Sequence, residues 1–205
     1  MIAIILPMNA KIEKLIKQFA KLPRVGNRAA RRIVLGLLQD KTGRIDKLID
    51  ALTDGRDNVY PCPNCGVLTD RTNGTCEYCR DAARANGMLC IVRDLADVWT
   101  LEKTGVFNGR YHILGGLLSG VAGITPGDLN IGNLPQRIID EKINEIIFAL
   151  PNTVEGKTTQ QYIISTLATA NVKFTELASG VPLGGDLDYI DDGTLSLAFG
   201  GRRAL

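Results

Sequence analysis

The sequence predicts a chain of mixed α+β and α/β parts: a small helical unit, a cysteine-bearing loop, and a parallel α/β domain. Three observations carry this reading. Apolar residues recur at helical spacing through the first quarter, two Cys-x-x-Cys pairs sit in a Pro- and Gly-rich loop after it, and short apolar runs then alternate with helix-length segments. At 205 residues and 45% hydrophobic content, the chain has room for two or three small domains with real cores.

Residues 9–21 read as an amphipathic helix, because Ile12, Leu15, Ile16 and Phe19 share a face while Lys11, Lys14, Lys17 and Lys21 fall largely elsewhere. Leu22-Pro23-Arg24-Val25-Gly26 breaks it. A second helix over 27–39 starts at Asn27, a good N-cap type, and offers Ala29, Ala30, Ile33, Val34 and Leu37 for packing. A third spans 45–52 with Ile45, Leu48, Ile49 and Leu52. Residues 60–79 have little periodicity and read as a loop held by something other than an apolar core. Beyond it, strands are expected at 89–92, 111–114, 145–150 and 172–177, with helices at 95–104, 138–143, 158–170 and 194–199. Strands separated by helices imply a parallel sheet.

The net charge of +2 hides an asymmetry. Residues 1–50 hold 11 basic and 4 acidic side chains, so the later part of the chain is net acidic. A basic first quarter suggests a polyanionic partner, nucleic acid among them. The opening apolar run, residues 1–8, is far shorter than the roughly 20 residues a membrane span needs. No basic leader or cleavage site of a signal peptide is visible, so a cytoplasmic protein without membrane contact is expected.

Cys62-Pro63-Asn64-Cys65 and Cys76-Glu77-Tyr78-Cys79 are two knuckles separated by ten residues. Each turns both sulfurs toward one point, and together they supply the tetrahedral four-sulfur set that Zn2+ prefers. A pair of disulfides is the alternative, and it belongs to oxidising compartments. Four protein ligands leave no open position, so one structural Zn2+ per chain is expected. Cys90, inside an apolar strand, reads as a core thiol.

The break at 22–26, followed by Arg28, Arg31 and Arg32, resembles a helix-hairpin-helix motif. A Gly-containing hairpin lets backbone N–H groups approach a phosphate, and the start of the second helix adds its positive dipole end. Arg28 and Arg32 share a helix face, so Arg24, Gly26, Arg28, Arg31 and Arg32 are the candidate DNA-binding residues, with no base-reading set among them. An ordinary helical turn with solvated arginines is the alternative.

Residues 145–158 imitate a phosphate-binding loop, with Gly156-Lys157-Thr158 after a strand. The first glycine position is Pro151, which has no N–H to offer, so an ordinary strand-to-helix turn is favoured over a nucleotide hydrolase. His112, the only histidine, lies in an apolar run and reads as structural. Asp186, Asp188, Asp191 and Asp192 could bind a divalent cation or serve as turn and cap residues.

A basic hairpin, a four-cysteine finger and an α/β unit, in that order, resemble the RecR family of recombination mediators. Tyr111-His112-Ile113-Leu114 with the Gly-rich stretch after it resembles the middle of that family's Toprim domain, Thr153-Val154-Glu155-Gly156 matches a family string, and the tail from Gly180 through Asp188 to Thr194-Leu195 is similar to its Walker B-like terminal segment. The resemblance implies four parts: a helix-hairpin-helix region at 1–55, a four-cysteine zinc finger at 56–84, a Toprim domain at 85–178 and a terminal oligomerisation segment at 179–205. It also implies a homo-oligomer, from dimer to tetrameric ring, on single- or double-stranded DNA. With RecO and RecF it would help load RecA onto single strands covered by single-strand binding protein. Enzymatic Toprim domains hold Mg2+ on a glutamate after the first strand and a DxD pair after a later one. Here those places carry Arg93 and a loop with Asn152 and Glu155, so no catalysis is expected. Lys157 stands where the family is often acidic.

Overall fold

Two compact units divide the chain in the computed structural model, one through Val59 and one from Tyr60 onward. The structure describes residues 9–70, 74–178, 180–181, 184 and 186–202. The apolar opening at 1–8 and positions 182, 183 and 185 of the terminal segment lie outside the described residues.

The first unit contains α1 (Ala10–Phe19), α2 (Asn27–Gln39) and α3 (Arg44–Asn58). Asn9 opens α1 by accepting the Lys11 N–H at 3.0 Å. Ile16 packs with Ala30 and Val34 in a buried cluster edged by Ile12, Leu15, Phe19 and Val25, so the apolar faces expected of the two helices do meet. Ile33 stays 38% exposed. Asn27 is not the N-cap: Gly26, extended at φ −83° and ψ 168°, caps α2 without a side chain, and Asn27 is the first helical residue. Asp40 then accepts from the N–H groups of Thr42 and Arg44, at 3.1 and 3.0 Å, and turns the chain into α3. That helix runs past 52 to Asn58, an extension the periodicity does not show because Thr53 to Asn58 is polar; Asn58 donates back to Asp54 at 2.6 Å. None of its residues is buried.

The second unit opens on β1 (Val59–Pro61) and β2 (Leu68–Asp70), which pair in a two-stranded sheet, and α4 (Glu77–Arg80). These short elements fall within the span read as loop except for Val59 and Arg80, one residue beyond it at either end. A four-stranded sheet follows from β3 (Met88–Val92), β4 (Arg110–Ile113), β5 (Glu145–Ala149) and β6 (Lys173–Glu176), in the order β4-β3-β5-β6. Every pairing is parallel, as the alternation predicts. The connecting helices are α5 (Leu95–Glu102), α6 (Leu134–Asp140) and α7 (Val154–Thr166), with α8 (Asp192–Gly200) at the end.

Period-2 alternation sends β3 to two cores. Leu89 and Ile91 pack with Ile146, Phe148, Leu134 and Ile138 of α6, and Ile163 of α7. On the opposite face Cys90 and Val92 pack with Val98 of α5, Tyr111, Ile113 and all four knuckle cysteines. The finger is therefore part of the α/β core. Helices α6 and α7 each start four residues earlier than their periodicity suggests. In α6, Pro135 sits at the first turn, where its missing N–H costs nothing. In α7, Thr153 caps by accepting the Gly156 N–H at 3.2 Å, which winds Val154 to Thr158 into helix.

Candidate metal centre and nucleic-acid interface

Local turns place each cysteine pair. Cys62 follows β1; its N–H donates to the Val67 carbonyl at 2.7 Å, and the Gly66 N–H donates to the Cys62 carbonyl at 2.9 Å. Gly66 is left-handed at φ 79°, and a Cβ there would press on the Ile113 carbonyl oxygen at 3.0 Å. Cys76 caps α4 and Cys79 lies inside it. The four Sγ atoms all lie within 4.8 Å of one another and all four residues are buried. A tetrahedral ion with metal–sulfur bonds of about 2.3 Å needs sulfurs about 3.8 Å apart, so the cluster fits one metal ion. Hydrogen bonds shared with Cys65 and then Cys79 push the Cys76 thiol down, while the bond to Cys76 pushes Cys65 up.

Behind the sulfurs lies a side chain that sequence reasoning missed. Arg137 of α6 is 5% exposed. Its Nε donates to Glu141 Oε1 at 3.0 Å and its Nη2 to Glu141 Oε2 at 3.3 Å. Nη1 donates to the Tyr111 carbonyl at 2.9 Å and to His112 Nδ1 at 3.0 Å, and Nη2 reaches Cys79 Sγ at 3.8 Å. Burial would raise the Glu141 carboxyl, but hydrogen bonds from Arg137 and Arg110 outweigh it and hold it below the usual range. A spacing of four between Arg137 and Glu141 was the available signal; Cys79 is 58 residues away in the chain. Because a guanidinium only donates, His112 Nδ1 accepts and its Nε2–H donates to the Asn130 carbonyl. Burial lowers His112 to about 4, so this histidine is neutral and structural.

In the first unit, the hairpin between α1 and α2 carries Arg24 at φ 62°, a left-handed conformation rare outside glycine. Arg24, Gly26, Arg28, Arg31 and Arg32 are all exposed. Among the described residues none of these arginines has a carboxylate partner within ion-pair distance. The first N–H groups of α2 therefore open beside unpaired cations, an arrangement suited to phosphate.

The remaining candidates take structural roles. Arg93 follows β3 and pairs with Asp94 at 2.9 Å and Asp97 at 3.8 Å. The phosphate-loop look-alike is a capped helix start: Gly156 N–H is held by Thr153, Lys157 N–H donates to the Thr153 carbonyl at 2.9 Å, and Lys157 Nζ pairs with Glu176 at 2.6 Å. A Cβ on Gly156 would overlap the Pro151 carbonyl oxygen, so close packing requires this glycine. Asp191 caps α8 by accepting the Thr194 N–H at 3.0 Å, and Asp186 precedes the short turn at Leu187–Tyr189 without a side-chain cap bond. Among the described residues the four cysteines form the only group of three or more side chains placed to hold a metal ion. Cys90 is buried, which raises its thiol to about 12.

Known families match along most of the chain. Residues 12–55 match the RecR helix-hairpin-helix, 87–178 the Toprim domain and 180–203 the RecR C-terminal region. Recombination protein RecR of Ruegeria sp. is 46% identical over 197 residues, covering 96% of this chain and 98% of that relative. The RecR proteins of Cereibacter sphaeroides and Rhodospirillum rubrum are 46% and 45% identical, covering 94% of this chain and 96% and 97% of those relatives. The chain belongs to the RecR family. In this RecR-family chain all five candidate DNA-binding residues fall inside the helix-hairpin-helix match, and the four cysteines fall between that match and the Toprim match. Membership and the hairpin support a role in DNA recombination and repair. Among the described residues no helix is long and apolar enough to cross a membrane.

Proposed function

We propose that this chain is a non-enzymatic DNA-binding mediator of recombinational repair that acts in the cytoplasm, at the nucleoid. The observation that carries the reading is the hairpin, where exposed arginines, without carboxylate partners among the described residues, stand at the Gly26-capped start of α2. Arg24, Arg28, Arg31 and Arg32 neutralise backbone phosphates of single- or double-stranded DNA, and no sequence preference follows. Zn2+ is the ion held by Cys62, Cys65, Cys76 and Cys79: four soft sulfurs in a closed set suit it, and it acts by fixing the finger against the sheet. Family membership supports the rest of the assignment. The chain assembles as a homo-oligomer, from dimer to tetrameric ring, and works with RecO and RecF to help load RecA onto single strands covered by single-strand binding protein.

The absence of catalysis is part of the proposal, supported by what fills the places where phosphoryl chemistry would need ligands. Arg93 carries a cation at the end of β3, and the N–H groups of Gly156 and Lys157 are already bonded to Thr153. The test is a titration of labelled single- and double-stranded DNA with purified protein, with and without RecO, run beside an assay with Mg2+ and ATP. Binding that RecO strengthens, with DNA and ATP left intact, is expected. Failure to bind in either condition would overturn the mediator reading, and nicking or phosphate release that disappears on changing Glu155 or Lys157 would overturn the non-enzymatic one.

A further inference from the structure

We infer that Arg137 is the counter-cation of the metal centre, and so the residue that couples metal binding in the finger to the packing of α6 on the sheet. The inference rests on the zinc reading above. All five guanidinium N–H donors of Arg137 can be assigned: one from Nε and one from Nη2 to Glu141, two from Nη1 to the Tyr111 carbonyl and His112 Nδ1, and the last, from Nη2, to Cys79 Sγ. A buried charge needs compensation. Glu141 cannot supply all of it, because its Oε2 also takes Arg110 at 3.0 Å, and one carboxylate stands against two guanidiniums. Side-chain exposure is 4% for Arg137, 15% for Arg110 and 11% for Glu141, so water screens the surplus little.

The missing negative charge lies beside them. Zinc bound by four thiolates is a dianion, and one of its sulfurs, Cys79 Sγ, is the remaining acceptor of Arg137. With four neutral thiols, the cation would face a weak acceptor and no charge. Metal binding therefore completes the electrostatics of α6, and Arg137 in turn stabilises the charged cluster. Outer partners of this kind orient ligands and hold metal, and their loss typically weakens it about 10–100-fold. His112 sharpens the placement, since its Nδ1 lone pair and the Tyr111 carbonyl fix the guanidinium plane.

Zinc competition against a chromogenic chelator tests this, using the full chain, Arg137→Met, Arg137→Lys and Glu141→Gln, with circular dichroism to follow folding. Wild type should hold one zinc by elemental analysis. Arg137→Met should lose about 10–100-fold in zinc affinity, and Arg137→Lys, which keeps the charge without the fork, should recover part of it. Glu141→Gln separates charge from scaffolding: it breaks the clamp but leaves the cations less compensated, so zinc should be held at least as tightly as in wild type. A purely structural Arg137 predicts instead that Glu141→Gln weakens zinc in step with its loss of thermal stability, and that outcome overturns the inference. Unchanged zinc affinity in a folded Arg137→Met does so too. If Arg137→Met does not fold even with excess zinc, the contrast between Arg137→Lys and Glu141→Gln decides by the same criterion. Zinc-free wild type would refute the zinc reading itself, and is read independently of the variants.

Discussion

Replacing Arg28 and Arg32 together with alanine should weaken DNA binding by about 30-fold near 0.15 M salt. Both side chains are exposed and four residues apart on α2, and neither has a carboxylate partner among the described residues, so no ion pair must break before they meet phosphate. Each neutralised phosphate contributes about 0.9 to the slope of log K against log[salt], and two contacts at that ionic strength amount to about 1.5 log units. With four arginines engaged the wild-type slope is about −3.6, and the double variant should fall to about −1.8. In an oligomer every subunit carries the change, which multiplies the loss. Fluorescence anisotropy of labelled duplexes at several salt concentrations, on two unrelated sequences, measures both quantities. The loss should be equal for the two sequences, since backbone contacts position without specifying. Exposed positions of this type change stability by about 0.5 kcal/mol or less, so folding should survive. Unchanged affinity and slope in a folded, metal-loaded variant would show that the hairpin does not hold DNA.

Cys62→Ser should abolish metal by elemental analysis and unfold the finger, because a structural zinc contributes roughly 10 kcal/mol or more of folding free energy; retained stoichiometric metal would contradict the four-sulfur site. Gly156→Ala should lower stability by about 1–3 kcal/mol, since its Cβ would overlap the Pro151 carbonyl oxygen at the start of α7. A melting temperature equal to wild type would show that the turn has room. His112 should make the fold acid-sensitive. Burial depresses its folded value to about 4, against 6.5 without that environment, so as pH falls the unfolded state takes the proton first and stability declines from 6.5 toward 4. By pH 5.5 the loss is about 1.4 kcal/mol. Urea titrations at neutral and acid pH should show that decline in wild type and a flatter profile in His112→Gln; identical profiles at equal metal content would exclude His112 as the source.

Much of the candidate site is legible in local sequence. The Cys-x-x-Cys spacing brings each sulfur pair to one point through turns a few residues long, such as the Gly66 knuckle and the capped start of α4. The hairpin is local in the same way, since Gly26 and the arginines after it are neighbours along α2. Boundaries are less legible, because apolar periodicity marks the buried middle of a helix and says little about its ends. Polar Thr53 to Asn58 extends α3 unseen, and a single Thr153 hydroxyl starts α7 four residues before its expected first residue.

The sequence by itself determined the helical hairpin, the four-sulfur set and the alternation that makes a parallel sheet, because each depends on the chemistry and spacing of residues close along the chain. Only the tertiary structure decided that the finger shares a core with β3 and β4, that Arg93 is held by Asp94 and Asp97, and that Arg137 lies against Cys79. Those outcomes depend on burial and on charge in a low-dielectric interior, which exist only once segments 58 residues apart have packed together.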